Sequence, residues 1–514
     1  CQCASSHAMS PTHLTRIAPD EGRESSFFTS IRELEPHTPA GTNPEKNVAL
    51  ANLSCDTYVP PWTEPYVIGV AGFSGSGKTS VSERIISELN TPWTVLLLFD
   101  NFYKELSAAE SQQAFACNYD FDTPNAIDLD LVVEKLTLLK QGKKTDIPVY
   151  SFSHHNRTEK KITIYGANVI IIEGIYALYD QRLLDLMDIK VFVDTDLDVC
   201  LARRLTRDIL YRGRDLAGAL RQWETFVKPN ATTSVYPTIR NADLVIPRGL
   251  DNTRAIDLMI KHIQKQLTLK SELHLARLKL LGRGVSFDVS QLANLKILPV
   301  NNHTAGIHSI LFDVNTGRTD FIFYFDRIAH LLVEAALDTL QNYSPKKVTC
   351  ANGYTFDGVV QSLELVAVSI VRSGDCFMNC VRKTFPAIPT GKLLIQSDSL
   401  TGEPQLHYEV LPKSSKGSIY FLLDAQIISG AGAVMAIQVL IDHKVEQKNI
   451  VLISYLLTEI AVKRILNVFP EVTIVVGKIS NTDSPDPAYN QEGFKDADWP
   501  FRTRFVDLLY FGTA

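Results

Sequence analysis

Residues 72 to 79, GFSGSGKT, constrain the fold more than any other stretch of the chain. They match the pattern G-x(4)-G-K-[ST] in full, between an apolar run, PYVIGVAG, and a helix-like run, SVSERIISELN. In such a loop backbone N–H groups surround phosphate oxygens, and the following helix adds the positive end of its dipole. Lys78 is placed to reach the β- and γ-phosphates of ATP, and Thr79 to hold Mg²⁺. The predicted ATP-binding residues of this phosphate loop are Gly72, Phe73, Ser74, Gly75, Ser76, Gly77, Lys78, Thr79 and Ser80.

Four further apolar runs resemble the one before the loop: TVLLLFD, NVIIIEG, IKVFVDT and ADLVIPRG. Runs of Val, Ile and Leu without alternation are typical of a parallel sheet that is buried on both faces. Helix-like segments lie between them, so the pattern predicts an α/β fold with a P-loop NTPase-type parallel sheet. One insert, IPVYSFSHHNRTEKKITIYG, alternates polar and apolar residues and predicts a β-ribbon with a turn near residues 154 to 157.

Two carboxylates end predicted strands on the same edge of the sheet as the phosphate loop. Asp100 ends TVLLLFD and Glu173 ends NVIIIEG. Ligand sites of such sheets lie at the carboxyl ends of the strands. Phosphoryl transfer needs a base and a metal-linked carboxylate, which these residues can supply. Taken alone, Asp100 is as compatible with a loop cap as with a base.

A basic run, RRLTRDILYRGRD, lies on a predicted helix, with Arg203, Arg204 and Arg207 within about one turn. On its own such a helix is typically a solvated face with ion pairs such as Asp208 to Arg212. Beside a phosphate loop it also fits a lid that closes arginines over phosphates.

Composition limits the class of protein. A net charge of −6 and a pI near 6.1 do not indicate bulk binding to nucleic acid or to a membrane. No apolar run reaches the roughly 18 residues of a membrane helix, and the first residues lack the core of a secretion signal. The chain begins at Cys1, which is compatible with a natural N-terminus further upstream. We expect a cytoplasmic protein, with nuclear presence also compatible.

The eight cysteines form neither a zinc framework nor a dense disulfide pattern. Cys376 and Cys380 stand one helical turn apart, and buried free thiols are the favoured interpretation. Reduced thiols agree with the cytoplasmic expectation.

Seven ordered blocks around the phosphate loop resemble the uridine-cytidine kinases. They run from about residue 66 to 268: DNFY, NYDFDTPNAID, IPVYSFSHHNR, IIEGIYALY, RRLTRDILYRGRD, QWETFVKP and ADLVIPRGLDN. The resemblance implies ATP-dependent phosphorylation of the 5′-hydroxyl of uridine and cytidine, which gives UMP and CMP in pyrimidine salvage. It also implies a homo-oligomer, namely a tetramer.

The same resemblance implies roles for individual residues. Asp100 would accept the hydroxyl proton with Lys78 as its catalytic partner, while Thr79 and Glu173 hold Mg²⁺. Asp251 would lie near the adenine end of ATP. His154 is an alternative to His155 if the register slips by one residue. The implied substrate-binding residues are Asp122, Tyr150, His155, Arg204, Arg214 and Gln222, and the implied lid residues are Arg207 and Arg212.

From about residue 300 the chain resembles uracil phosphoribosyltransferase. The matching stretches are SIVRSGDCF, LLIQSDSLTGEPQLHYEVLP, LLDAQIISGAGAVMA and YFGT. They imply a second, phosphoribosyltransferase-like α/β domain with a phosphoribosyl pyrophosphate-like site at Arg372, Asp424, Ser429 and Gly430. The uracil end departs from the family, because Asp507, Leu508 and Leu509 replace its Gly-Asp-Arg. This loss favours a regulatory or assembly role over transferase activity.

These patterns predict four segments: a disordered tail over residues 1–64, a kinase domain over 65–268, a helical linker over 269–299 and the second domain over 300–514. We expect a chain ending near residue 268 to keep kinase activity. Two alternatives stay open. One is a bifunctional enzyme that also makes UMP from uracil and phosphoribosyl pyrophosphate, and the other is a non-catalytic nucleotide-sensing protein. Pantothenate or ribulose phosphate as acceptor is disfavoured by the combination of Asp122, Tyr150 and His155.

Overall fold

The computed structural model describes residues 57–89, 91–116, 118–282, 292–340, 343–398, 401–413, 417–480 and 504–513. All of them belong to one compact unit, Leu53–Ala514. We call residues 57–282 the N-terminal half and residues 292–513 the C-terminal half. The predicted tail lies outside the described residues up to position 56.

The N-terminal half is built on a five-stranded parallel sheet with the order β2-β5-β1-β6-β7. The strands of this half, including β3 and β4 outside the five-stranded sheet, are β1 (Tyr66–Gly72), β2 (Thr94–Leu98), β3 (Thr145–Ser151), β4 (Asn156–Ile164), β5 (Val169–Glu173), β6 (Ile189–Asp194) and β7 (Leu244–Pro247). Every residue of β1 and β5 is buried, as the runs without alternation predict. The parallel P-loop-type sheet is confirmed.

Helices cover both faces of this sheet, which gives it two apolar layers. The helices of this half are α1 (Lys78–Leu89), α2 (Ala108–Phe115), α3 (Leu129–Lys140), α4 (Gln181–Leu184), α5 (Leu197–Arg212), α6 (Leu216–Gln222), α7 (Lys228–Asn230) and α8 (Thr253–Leu280). The predicted insert forms the antiparallel ribbon β3–β4, whose two strands pair only with each other.

The C-terminal half carries a second, larger sheet with the order β13-β12-β11-β14-β16-β17-β8, to which β15 adds at β16. All its pairs are parallel except β12–β13. Strands β9 and β10 form a separate antiparallel ribbon. The strands of this half are β8 (Leu295–Ile297), β9 (Tyr343–Thr349), β10 (Thr355–Gln361), β11 (Leu365–Val371), β12 (Thr390–Ser397), β13 (Pro404–Val410), β14 (Ile419–Leu423), β15 (Gln426–Ile427), β16 (Ile450–Thr458) and β17 (Thr473–Ser480).

Helices again flank the sheet, so the predicted second α/β domain is confirmed. They are α9 (Asn302–Phe312), α10 (Arg318–Asp338), α11 (Asp375–Thr384), α12 (Ala431–Asp442), α13 (Glu459–Val468) and α14 (Val506–Phe511). Cys376 and Cys380 on α11 are buried free thiols, and burial raises the pKa of both. Across the ranges described, no helix combines the length and apolar character that a membrane crossing requires.

The two halves share part of one apolar core. Trp62, Tyr165, Leu278 and Leu281 pack into the core cluster of the C-terminal half. Trp62 follows Pro61 in a short 3₁₀ turn and is only 1% exposed. The prediction of a disordered tail is therefore wrong for residues 57–64, because Trp62, in a proline-rich segment, finds its apolar partners far along the chain. The predicted boundary at residue 268 falls inside the continuous helix α8.

Candidate active site

The phosphate loop turns sharply between β1 and α1. Gly72 and Gly75 have φ angles of 149° and 90°. A Cβ at Gly72 would lie 2.4 Å from the Val193 carbonyl oxygen, and one at Gly75 would lie 2.4 Å from that of Cys200. Only glycine fits this backbone path. The loop therefore brings its amide groups and the N-terminus of α1 to the carboxyl edge of the sheet, as an anion site requires.

Lys78, the first residue of α1, is buried under this loop and donates a hydrogen bond to the Phe73 carbonyl at 2.9 Å. Burial lowers the pKa of Lys78, while the carboxylates of Glu173 and Asp100 oppose that shift. A buried cation with two carboxylates close by is suited to a bound polyanion, whose charge would compensate the lost solvation.

The loop opens onto a cavity of about 320 Å³. The cavity joins the phosphate loop to the end of β2, the ribbon β3–β4, the end of β5 and helices α5 and α6. Most of the residues predicted from sequence meet in this one cavity. Those that line it are Ser74, Gly75, Gly77, Lys78, Thr79, Ser80, Asp100, Asp122, Tyr150, His155, Glu173, Arg204, Arg207, Arg214 and Gln222.

Asp100 lies in a 3₁₀ turn, Phe99–Phe102, directly after β2. Phe99 and Phe102 are buried and hold the turn, while Asp100 is half-buried and lines the cavity. Its carboxylate accepts no hydrogen bond from any residue in the described ranges. It is therefore available to a substrate hydroxyl, and the geometry favours a base over a loop cap.

Glu173 and Thr79 form the part of the cavity that could hold a divalent cation. Thr79 Oγ1 donates to Glu173 Oε1 at 2.8 Å, whereas Oε2 is buried and has no hydrogen-bond partner among the described residues. Burial raises the pKa of Glu173, while the charge of Lys78 and the Thr79 hydrogen bond lower it. An unpaired buried carboxylate oxygen beside a hydroxyl fits a cation that prefers oxygen ligands.

The ribbon β3–β4 brings Tyr150 and His155 to the far side of the cavity. The His155 ring stacks on Phe121 with centroids 5.2 Å apart and an interplanar angle of 24°. Burial and the charge of Arg214 lower the pKa of His155, which favours its neutral form. His154 instead points to solvent, with Nδ1 2.8 Å from Ser151 Oγ. Of these two histidines, His155 is the one that lines the cavity.

Asp208 organises three of the predicted arginines, one from the lid and two from the substrate-binding set, and the sequence reasoning missed this role. Its carboxylate is fully buried and lies 3.5 Å from Arg204 Nε, 2.9 Å from Arg207 Nε and 3.2 Å from Arg214 Nη1. Arg214 also donates to Gln222 Oε1 at 2.6 Å. The i,i+4 spacing from Arg204 was the available signal. Asp208 holds the cations in place at the cavity rather than on a solvated helix face.

Contacts with several elements fix the position of Asp122. Its carboxylate lies 3.4 Å from Arg204 Nη1. Its amide donates to Asp120 Oδ1 at 2.9 Å, and its carbonyl accepts a hydrogen bond from the Tyr176 hydroxyl. Asn230 in turn donates to Asp120 at 2.8 Å. These contacts give the Asp122 carboxylate a fixed direction into the cavity.

Five predicted residues stand apart from the cavity wall. Gly72, Phe73 and Ser76 belong to the loop but do not line the cavity. The Phe73 ring instead stacks on the Tyr236 ring, with centroids 6.1 Å apart. Asp251 is exposed and lies 3.7 Å from Arg203 Nη2. The side chain of Arg212 is outside the described residues.

The second predicted site lies at the carboxyl edge of the larger sheet. Arg372 follows β11 and is paired with Asp507, with Nη2–Oδ2 and Nε–Oδ2 distances of 2.8 and 3.0 Å. Asp424 follows β14, is 3% exposed and lies 3.5 Å from Arg504. Burial raises the pKa of Asp424, and Arg504 opposes this shift. Both charged residues therefore have partners from the C-terminal segment.

The loop that precedes α12 completes this second site. Gly430 has a φ angle of 76°, and the Ser429 carbonyl accepts a hydrogen bond from Arg464. Arg464 is fully buried and also donates to the Leu281 carbonyl at 3.3 Å. The guanidinium of Arg464 thus fixes this loop from the interior of the protein.

Comparisons with known proteins match each half of the chain to a family. A family model described as "Phosphoribulokinase / Uridine kinase family" matches residues 67–255, and one described as "Uracil phosphoribosyltransferase" matches residues 298–493. A Saccharomyces cerevisiae protein named "Uridine kinase" is 49% identical over 505 residues, covering 97% of this chain and 99% of that protein. A Schizosaccharomyces pombe protein of the same name is 42% identical, covering 84% and 94%. The Mus musculus protein "Uridine-cytidine kinase-like 1" is 41% identical, covering 81% and 77%.

Proposed function

The chain belongs to the uridine kinase family, and we propose that it transfers the γ-phosphoryl group of ATP to the 5′-hydroxyl of uridine and cytidine, giving UMP and CMP. One observation carries this function. A single cavity joins a complete phosphate loop to Asp100 and to the polar groups Asp122, Tyr150 and His155. An uncharged hydroxylated nucleoside needs carboxylate acceptors for its hydroxyls and a few oriented polar groups for its base.

In this mechanism Asp100 accepts the proton of the 5′-hydroxyl as the oxygen attacks the γ-phosphorus. The bond from that phosphorus to the β,γ-bridging oxygen breaks, and ADP leaves. Lys78 and the arginines held by Asp208 stabilise the charge on the transferred group and on ADP. Asp122 accepts hydrogen bonds from the ribose hydroxyls, while His155 and Tyr150 contact the base.

Thr79 and Glu173 are the residues that would hold Mg²⁺, since one oxygen of Glu173 is buried without a partner in the described part of the chain. The ion would neutralise charge on the phosphates.

Replacing Glu173 by Gln is expected to raise the Mg²⁺ concentration for half-maximal turnover by at least ~10-fold. The amide keeps the size of the side chain but loses the charge that attracts the cation. The measurement is turnover as a function of Mg²⁺ at fixed ATP. The matched control is Glu105→Gln, which removes an exposed carboxylate outside the cavity. An unchanged Mg²⁺ requirement in Glu173→Gln would remove Glu173 from the metal site.

The C-terminal half is proposed to regulate or stabilise the kinase rather than to make UMP from uracil. A pyrophosphate at Arg372 would compete with Asp507, whose carboxylate is only 5% exposed. Drawing Arg372 away would leave this buried carboxylate without its cation, which is unfavourable.

Two parallel reactions test this division of roles in the purified full chain. One contains uridine and Mg-ATP, and the other contains uracil and Mg-phosphoribosyl pyrophosphate. We expect UMP in the first reaction only. UMP in both would make the enzyme bifunctional, and UMP in neither, from folded protein that binds ATP, would favour the nucleotide-sensing alternative. The homotetramer and the cytoplasmic location stay predictions.

A further inference from the structure

The ribbon β3–β4 depends on other elements for its position. Within the described part of the chain its strands form a sheet of their own, and it carries Tyr150 and His155 into the cavity. An isolated two-stranded ribbon is marginally stable in water. Packing of Ile147 and Tyr150 into the core of the N-terminal half, together with contacts at the tip and at the base of the ribbon, therefore fixes the two side chains.

The tip is fixed within the N-terminal half. Arg157 Nε donates to the Tyr103 carbonyl at 2.8 Å, and Arg157 Nη2 lies 3.3 Å from Asp128 Oδ2. The Tyr150 amide donates to Asn101 Oδ1 at 3.3 Å. These contacts hold the tip beside the turn that carries Asp100.

The base is fixed by the C-terminal half. Tyr165 directly follows β4, is 5% exposed and donates its hydroxyl proton to Asp442 Oδ2 at 2.7 Å. Its ring also meets His443 edge-on, with centroids 4.9 Å apart. Asp442 and His443 stand at the end of α12, so one helix of the C-terminal half holds the outgoing strand of the ribbon.

Trp62 links the other end of the ribbon to the same carboxylate. Its Nε1 donates to Asp442 Oδ2 at 2.9 Å. A Cβ at Gly142, just before β3, would lie 3.2 Å from Trp62 Cδ1, so the ring packs where the chain enters the ribbon. Both ends of the ribbon therefore converge on Asp442.

Asp442 is placed where a carboxylate is otherwise unfavourable. It is the last residue of α12, at the negative end of the helix dipole. Besides the two donors from the N-terminal half, Gln438 Nε2 donates to its Oδ1 at 2.8 Å. The hydrogen bonds that Trp62 and Tyr165 donate to Asp442 offset its unfavourable interaction with the helix dipole. These donors are available only when the two halves are in contact.

We propose that Asp442 is a positioning residue for the nucleoside: through Tyr165 and Trp62 it fixes the base of the ribbon, and thereby Tyr150 and His155 in the cavity. The C-terminal half then sets nucleoside affinity without contacting the nucleoside. This role rests on the proposed kinase function, since it assigns to the ribbon the recognition of the base.

Tyr165→Phe and Asp442→Ala in the full chain test the role. Each is expected to raise the KM for uridine, by roughly 10-fold for Asp442→Ala, because small displacements of positioning groups have large effects. The KM for ATP and kcat are expected to stay within about twofold of the wild type, since the phosphate loop and Asp100 do not touch this contact. Tyr165→Phe removes only a hydroxyl, so it carries the test if Asp442→Ala does not fold.

Ser271→Ala is the matched control for Tyr165→Phe. Ser271 Oγ, on α8, donates to Thr401 Oγ1 at 3.1 Å, so this variant also loses one hydroxyl hydrogen bond between the halves, away from the ribbon. Its KM for uridine is expected to be that of the wild type. An equal rise in both variants would overturn the proposal, because general loosening of the halves would then explain the effect.

Amide hydrogen exchange over residues 145–164 gives a readout that does not need turnover. Exchange there is expected to accelerate in Tyr165→Phe and Asp442→Ala and to stay unchanged in Ser271→Ala. Unchanged exchange in the first two variants, or faster exchange with an unchanged KM for uridine, would overturn the positioning role. If the wild-type chain makes no UMP, the proposed function fails, while the exchange data still decide whether Asp442 holds the ribbon.

Discussion

Replacing Asp100 by Asn is expected to lower turnover of uridine by at least ~10²-fold and to leave ATP binding intact, as removal of a general base does. The amide has the shape of the carboxylate but cannot take the 5′-hydroxyl proton. Phe99 and Phe102 are buried on either side and should keep the turn in place. Turnover and ATP affinity, measured on the same preparation, check both parts of this expectation.

The matched control for Asp100→Asn is Glu105→Gln. Glu105 is exposed in the segment that follows the turn and does not line the cavity. The Glu105→Gln variant therefore loses the same charge as Asp100→Asn at a position that does not touch the substrate. Its turnover of uridine should equal that of the wild type. Near-normal turnover in Asp100→Asn would remove Asp100 from the role of base.

A chain that ends after residue 268 is expected to lose both its fold and its kinase activity, which reverses the expectation from sequence. The cut divides helix α8 and removes the core that covers Trp62 and Tyr165. Exposing half of each aromatic ring system costs roughly 4–6 kcal/mol at ~25 cal/mol per Å². A typical domain has only about 5–15 kcal/mol of stability in total.

Thermal unfolding and UMP formation, compared between the cut and full chains, measure this loss. A cut chain that also carries Trp62→Gln and Tyr165→Thr is the informative control, since it no longer exposes the two large rings. It should be more soluble than the cut chain alone. A cut chain with the unfolding temperature and turnover of the full chain would show that the N-terminal half folds on its own.

Much of the first site follows from sequence because its parts lie at strand ends. Unbroken apolar runs locate the strands, and in a parallel sheet their carboxyl ends share one edge. Asp100 and Glu173 therefore had to lie near the phosphate loop, and they do. The choice between His154 and His155 depended on the turn of the ribbon, where a single residue of slip exchanges the two faces.

The remaining features depend on contacts between distant residues. Trp62 lies in a short proline-rich segment, TYVPPWTEP, and its burial depends on partners far along the chain. The partner of Arg372 is Asp507, which sequence reasoning had noted only as a departure from a family motif. Asp208 pairs with three arginines, of which the i,i+4 helix spacing could suggest only Arg204, whereas Arg214 lies beyond the end of α5. Local patterns cannot encode such pairings.

The shared carboxylate of Asp442 also has a consequence for how the protein is made. Tyr165 and Asp442 are 277 residues apart, and Trp62 and Asp442 are 380 apart. At a synthesis rate of ~5–20 residues per second, Asp442 is translated roughly 15–55 s after Tyr165. During that interval the nascent chain on the ribosome carries two large aromatic rings without their final cover. Chaperones that bind exposed apolar segments therefore have a defined window in which to engage it.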